Sequence, residues 1–294
     1  MTVTELPTPC REHPPLRMVW LDLTRKCQLE CAHCYNASGP GGTHGTMERQ
    51  DWFGVVDQAA RAGAGHLQLI GGEPTLHPHA PDIAEHALEA GLGVEVFSNL
   101  VHLSPRWWEL LRREGMSLAT SYYSADPARH NAVTARPSHR RTRANIAKAV
   151  ALGVPLRVGI IAVGPGEGVE AAVEDLESLG ATDVGTDRVR PFGRGGRERP
   201  PDVSGLCGNC GSGTACVGPT GEVSPCAMSS WMGVGNVADE ELSAILSGPA
   251  MARAVSKIRA GKKQDGDQPP PQNPCEPDRW CKPGTPNSGC APRR

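Results

Sequence analysis

Between residues 17 and 191, six short and mostly apolar runs alternate with helical stretches, and no other feature of the chain restricts its fold as much. The runs are Arg17 to Thr24, Leu67 to Gly72, Gly93 to Asn99, Ser117 to Ser124, Leu156 to Val163 and the segment DVGTDRVRP beginning at Asp183. Helical patterns fill the gaps: Glu48 to Ala62, Ala80 to Ala90, Pro105 to Glu114, Arg140 to Leu152 and Val169 to Leu179. Strands that alternate with helices make βα units on a parallel sheet, and strands covered on both faces are apolar runs. Six units fall short of a closed eightfold barrel, so the expected fold is α/β, a partial (β/α)6 TIM-like barrel. Aromatic residues are only 4% of the chain, which leaves the core to Leu, Val, Ile and Ala.

Near Arg194 the alternation stops. GRGGRERPPDVSG has the composition of a linker. Beyond it come a helical segment from Asp239 to Arg259, the polar stretch KKQDGDQPPPQNP, and seven of the eleven cysteines. The expected organisation is an N-terminal segment (1–16), the barrel (17–195) and a cysteine-rich, irregular C-terminal extension (196–294).

A formal net charge of -2 gives no polyanion-binding field, so nucleic acid is not an expected partner. No apolar run reaches the roughly 18 residues of a membrane span. The opening MTVTELPTPCREHPPLRM lacks the apolar core of a secretory signal. The expected location is the cytoplasm, where cysteines read as metal ligands or redox groups before disulfides.

Cys27, Cys31 and Cys34 are spaced C-x3-C-x2-C directly after the first strand. Loops at the C-terminal ends of barrel strands are where active sites sit. Three thiolates on one short loop suit a [4Fe–4S] cubane and leave its fourth iron open to a ligand. A three-ligand zinc site and incidental thiols are the competing readings.

Together with Gly71-Gly72-Glu73-Pro74 at the end of the second strand, this loop resembles the radical S-adenosylmethionine (SAM) superfamily. The family signature is C-x3-C-x-Φ-C, here with His33 at Φ and Tyr35 following, and its GGE motif matches residues 71–73. The resemblance spans most of residues 17 to 195. It implies that SAM chelates the open iron, that one electron from the cluster breaks the sulfonium C–S bond, and that the 5′-deoxyadenosyl radical abstracts a substrate hydrogen. It also implies SAM contacts from Tyr35, Gly71, Gly72, Glu73 and Pro74, from Ser98 and Asn99 ending the third strand, and from Arg157 on the fifth. Glycines allow close backbone approach, and an arginine suits the SAM carboxylate. Plainer alternatives stand beside these: Glu73 as a carboxylate at a helix N-terminus, and Arg157 as a structural ion-pair partner. Tyr122 and Tyr123 face opposite sides of one strand, so one of them can face the barrel interior.

Cys207-x2-Cys210-x5-Cys216, followed by Gly221-x4-Cys226, resembles the SPASM and twitch extensions of radical SAM maturases. Cys275-x5-Cys281-x8-Cys290 fits the later part of that extension, although the family's C-x2-C-x5-C-x3-C run is not intact there. The resemblance implies one or two auxiliary [4Fe–4S] clusters. One is assigned to Cys207, Cys210, Cys216 and Cys226, and the other to Cys275, Cys281 and Cys290, with one iron left open or Cys10 as the eighth thiolate, and with exchange of ligands between the two groups as an alternative. A zinc ribbon from the first four cysteines is the alternative.

The resemblance implies an enzyme that cross-links, epimerises or otherwise oxidises a ribosomally made precursor peptide, with a flavodoxin or ferredoxin as electron donor. A dehydrogenase of a small alcohol or aminoglycoside-like substrate is the second reading. A non-catalytic iron–sulfur sensor or scaffold is the third, and it has no use for the GGEP segment. His77 and His79 are expected at the surface or the site rim, GRGGR as a linker or crossing loop, and Arg140, Arg141 and Arg143 as a solvated helix face or one that meets an acidic partner segment.

Overall fold

Alternate side chains of the first strand enter two different cores, and that division sets the architecture. In β1 (Met18–Asp22), Val19 and Leu21 pack with the helices, whereas Met18 and Trp20 belong to a second apolar cluster on the opposite face. The computed structural model describes residues 16–163 and 168–264. The sheet continues through β2 (His66–Ile70), β3 (Gly93–Phe97), β4 (Met116–Tyr122), β5 (Leu156–Ala162) and β6 (Asp183–Arg188). These strands pair in parallel in the order β6-β5-β4-β3-β2-β1, the order of successive βα units. The intervening helices are α1 (Arg49–Arg61), α2 (Ala80–Glu89), α3 (Pro105–Leu110), α4 (Pro127–Thr134), α5 (His139–Ala151) and α6 (Val169–Ser178). The fold is therefore the α/β, mostly parallel architecture that the alternation implies.

Helix α4 is an addition to the expected elements. Asp126 caps it by accepting from the Ala128 N–H at 2.8 Å, and Pro127 occupies the first helical position. An Asp followed by Pro is a helix-start signal, because Pro supplies the right φ where no N–H is needed.

The sheet does not end at the linker. β7 (Thr214–Val217) pairs in parallel with β1, Met18 lying opposite Thr214 and Leu21 opposite Val217. β8 (Glu222–Ser224) and β9 (Gly235–Asn236) then add antiparallel strands. The extension expected to be irregular thus covers an edge of β1 that would otherwise leave backbone groups unpaired. The helical segment expected from Asp239 to Arg259 is two helices, α7 (Leu242–Ser247) and α8 (Pro249–Gln264). Pro249 has no N–H and clashes with a preceding turn, so it begins a helix rather than continuing one. Among the described residues no helix is long and apolar enough to cross a membrane.

Candidate functional site

A loop that holds metal ligands must first have its backbone fixed. After β1 the chain folds back on itself: the Cys27 N–H donates to Gly39 O at 3.0 Å and the Gly39 N–H to Arg25 O at 3.2 Å. Asp22, at the end of β1, is 1% exposed and accepts from Arg25 at 2.5 Å and from Asn36 at 3.2 Å, tying the loop to the strand. The Cys34 N–H closes a turn on Cys31 O at 3.2 Å.

The Gly-Gly-Glu segment supports this loop from β2. The Gly72 N–H donates to Thr24 O at 2.6 Å and the Glu73 N–H to Lys26 O at 2.9 Å. A Cβ on Gly72 would lie 2.4 Å from Lys26 O, so the close approach that this glycine permits is to the protein's own cysteine loop. Glu73 is fully buried. One of its oxygens accepts from the Thr75 N–H (3.1 Å) and hydroxyl (2.7 Å), the other from the Asn99 N–H (2.8 Å). Burial pushes its carboxyl above the usual carboxylate range, and these hydrogen bonds oppose the shift. Glu73 thus caps the 3-10 turn Pro74–Leu76 and joins the ends of β2 and β3. Ser98, also buried, accepts from the Leu100 N–H at 3.1 Å. The Asn99 side chain reaches back to Gln28 (3.1 Å) and to the Cys27 sulfur (3.6 Å).

Two further clamps were not legible as such. Arg194, in the segment expected to be a linker, donates through Nε to Cys31 O at 2.8 Å and through its terminal nitrogen to Ser38 O at 2.7 Å. Its backbone N–H donates to Cys34 O at 2.9 Å. Gly193, at φ +52°, would place a Cβ 2.3 Å from Tyr35 O, so the glycines of GRGGR lay a 3-10 turn directly on the cysteine loop. From another element, α4, Val133 O accepts from the Ala32 N–H (3.0 Å) and Thr134 O from the Glu30 N–H (3.1 Å).

Over this loop lies a cavity of about 600 Å³. Cys27, Cys31 and Cys34 line it together with Tyr35, Gly71, Gly72, Asn99 and Arg157. Cys207, Cys210 and Cys226 line it from the C-terminal extension. Glu73, Pro74, Ser98 and Cys216 are not among its lining residues. Arg157 forms a buried bidentate pair with Glu95, both contacts at 2.7 Å, and Gln68 hydrogen-bonds the same carboxylate. That pair is the plainer of the two readings of Arg157. Tyr123 opens onto the cavity, whereas Tyr122 is buried against His139 (2.8 Å) and Asp175 (2.7 Å).

Burial pushes the Cys27 thiol up to about 12 and the Cys31 thiol up to about 11, and pulls His33 down to about 4. Thiolates in such a desolvated place need an adjacent cation, which ligated iron supplies on binding. The loop, its sulfur donors and the open space above them are of the kind that would hold a [4Fe–4S] cluster, with Cys27, Cys31 and Cys34 as the thiolates available. In the second group, the Cys210 and Cys226 sulfurs are 3.1 Å apart, and hydrogen bonding within the Cys207–Cys210–Cys226 set raises Cys210 and lowers Cys226. Cys216 is buried on β7, opposite Trp20 and Ser224. None of the seven described cysteines is in a disulfide. Cys10, Cys275, Cys281 and Cys290 lie outside the described residues. Among the described residues, no three His, Cys, Asp or Glu side chains converge on a single metal ion; a cubane instead takes each thiolate on a different iron. What unites each cysteine group is a shared loop or hairpin and, save Cys216, a common cavity.

Two expectations need correction. His77 is not at the rim: it is 3% exposed and packs edge-on against His44, with ring centroids 5.1 Å apart. Arg143 does not belong to a free charged face, because it pairs with Asp175 of α6 at 2.8 Å.

The model of the radical SAM superfamily matches residues 21–179, more than half of the chain. The chain belongs to the radical SAM superfamily. The SPASM model, an iron-sulfur cluster-binding domain, matches residues 207–278. The family implies a [4Fe–4S] cluster with SAM, and the SPASM match implies auxiliary iron–sulfur binding in the C-terminal region. A PqqA peptide cyclase of Streptomyces rochei is 30% identical over 171 residues, covering 58% of this chain and 46% of the relative. The chain thus spans about half the length of the curated relatives it matches. Streptococcus suis SuiB bound to precursor peptide SuiA shares the fold at a TM-score of 0.68 and 13% identity, over 84% of this chain and 67% of SuiB. The anSMEcpe structure with bound AdoMet and Cp18Cys peptide gives a TM-score of 0.67 at 13% identity, over 93% of this chain and 90% of its own.

Proposed function

We propose that this chain is a radical SAM enzyme that oxidatively modifies a peptide, with Cys27, Cys31 and Cys34 holding the SAM-binding cluster. The observation that carries the reading is a cavity lined by Cys27, Cys31 and Cys34 on one side and by Cys207, Cys210 and Cys226 on the other. When bound, the cluster and SAM supply a 5′-deoxyadenosyl radical able to abstract hydrogen from an unactivated C–H bond. The chain's own residues hold the reacting atoms together and keep water away. Tyr35, Gly71, Gly72, Asn99 and Arg157 border the space for SAM, and Glu73, Pro74 and Ser98 fix the strand ends behind it. Cys207, Cys210, Cys216 and Cys226 are assigned to an auxiliary cluster, and Cys275, Cys281 and Cys290 to a second. The working division remains a barrel over 17–195 and an auxiliary domain over 196–294.

A peptide substrate is supported by the relative named a peptide cyclase and by neighbours solved with peptides. Leu29, Ile70, Phe97 and Ile161 give the cavity an apolar wall of the kind that receives peptide side chains. A flavodoxin or ferredoxin is the expected electron donor, in the reducing cytoplasm that suits free thiols.

The test is to incubate the reconstituted enzyme, SAM and reductant with peptides encoded by neighbouring genes and, separately, with small alcohols and amino sugars. The expected result is a mass change confined to a peptide. A loss of about two hydrogens from the small molecules alone would replace the peptide reading with that of a dehydrogenase.

A further inference from the structure

Arg140 and Arg141 are exposed in the first turn of α5, a turn that holds no acidic residue. The helix macrodipole disfavours cations at this end, so nothing in the helix itself favours two adjacent positive charges there. Among the described residues neither guanidinium has an ion-pair or hydrogen-bond partner. The turn lies beside the cysteine loop. Thr142 is buried and donates its hydroxyl to Asn99 O at 2.9 Å, and Asn99 Nδ2 reaches the Cys27 sulfur at 3.6 Å. From α4, Val133 O and Thr134 O hold the N–H groups of Ala32 and Glu30. The hydroxyls of Thr134 and Ser138, 2.8 Å apart, join the end of α4 to the start of α5. Between the two helices Arg136 pairs with Glu30 at 2.9 Å, and Arg129 of α4 has Asp126 at 3.8 Å. With those pairs balanced, Arg140 and Arg141 leave this face positive on a chain whose formal net charge is -2. Ala32, between Cys31 and Cys34, is exposed, so the face borders the outer side of the loop whose cysteines line the cavity.

We propose that this α4–α5 face is the docking surface for an acidic one-electron carrier protein of the flavodoxin kind, which reduces the SAM-binding cluster across the outer side of its loop. The inference rests on the proposed ligation of that cluster by Cys27, Cys31 and Cys34. A carrier protein is too large to enter a cavity of about 600 Å³, and the outer side of the loop, exposed at Ala32, is the side that remains. In the step the carrier gives up one electron and the cluster gains it; no bond is made or broken. Exposed cations beside the entry point steer an anionic partner and set the salt dependence of its binding.

The experiment measures 5′-deoxyadenosine formed from SAM by anaerobically reconstituted holoenzyme, driven either by dithionite or by a limiting amount of flavodoxin kept reduced by NADPH and its reductase. Calorimetry of oxidised flavodoxin binding to the same holoenzyme gives a second readout. In Arg140→Glu with Arg141→Glu, the flavodoxin-driven rate and the flavodoxin affinity are each expected to fall about tenfold, with the dithionite-driven rate unchanged. Arg112→Glu with Arg113→Glu, just before β4 at the other end of the sheet, is expected to change neither. Flavodoxin kinetics and affinity equal to wild type in the Arg140, Arg141 variant overturn the proposal, and so does an equal loss with both reductants. Salt-dependent self-association that the variant abolishes, with flavodoxin kinetics unmoved, would assign the face to a second copy of this chain and overturns it too. Absence of 5′-deoxyadenosine from the wild type with dithionite would instead overturn the underlying reading, and the proposal with it. Should the variant fail to take up iron, the wild type decides. Raising salt from about 0.1 M to about 1 M shortens the screening length from about 10 Å to about 3 Å. The flavodoxin-driven rate is expected to fall several-fold relative to the dithionite-driven one, and an unchanged ratio overturns the proposal.

Discussion

Replacing Arg194 by Ala tests how the cysteine loop is held. The change removes two charge-assisted hydrogen bonds, to Cys31 O at 2.8 Å and Ser38 O at 2.7 Å, and leaves the backbone bond to Cys34 O in place. Hydrogen bonds to charged groups contribute about 1.5–3 kcal/mol each, and the lower end applies to a half-buried guanidinium, so the pair comes to about 3 kcal/mol. Since 1.4 kcal/mol is a factor of ten, the closed form of the loop falls roughly a hundredfold relative to open forms. Ligands that are not pre-positioned bind iron poorly, because binding must then order the loop as well. The assay is iron and sulfide per chain after anaerobic reconstitution, alongside thermal unfolding. Arg194→Ala is expected to lose SAM-responsive iron and to unfold at lower temperature. Arg194→Lys, which lacks the planar fork, is expected to recover about half of the loss. Full iron content and an unchanged unfolding temperature in Arg194→Ala would refute the clamp.

Glu73→Gln leaves one of three hydrogen bonds poorly satisfied and is expected to cost about 1–3 kcal/mol. Because the folded-state pKa of Glu73 is raised, the wild type loses stability as pH climbs through and above the ordinary carboxylate range, up to that raised value. The deficit of Glu73→Gln, read by denaturant unfolding across pH, should therefore be largest at the acid end and narrow with rising pH; a deficit that widens would contradict this. Arg157→Met strands the buried Glu95 carboxylate and is expected to cost about 3–5 kcal/mol, most of it recovered in Arg157→Met with Glu95→Leu. A cost under about 1 kcal/mol for the single change would show that the pair is not desolvated. Cys210→Ala with Cys226→Ala is expected to lower iron content while SAM cleavage persists, whereas unchanged iron would remove both residues from the auxiliary site.

Most of the parallel sheet was legible because strands β1 to β5 are largely apolar runs with a helix after each, and burial on both faces demands that pattern. The short strands β7 to β9 were not, since two to four residues such as Gly235–Asn236 carry no periodicity of their own. They exist because β1 offers an edge, a tertiary fact. The cysteine loop and the GGEP segment were legible as spacing. The role of Gly72 was not, because what a missing Cβ makes room for depends on which backbone passes beside it. Arg194 was hidden for a similar reason: a glycine-rich stretch reads as linker until the chain it lies against is known. Helix α4 could have been found from Asp126-Pro127, a cap and first-turn signal that lacked only an apolar stripe behind it.

The most direct test of the account compares wild type with the Cys27→Ala, Cys31→Ala, Cys34→Ala triple variant after anaerobic reconstitution, measuring 5′-deoxyadenosine formed from SAM and dithionite. The wild type is expected to form it. The triple variant is expected to form none while keeping the iron of its auxiliary region. Substantial 5′-deoxyadenosine from the triple variant would contradict the assignment of these three cysteines to the radical-generating cluster.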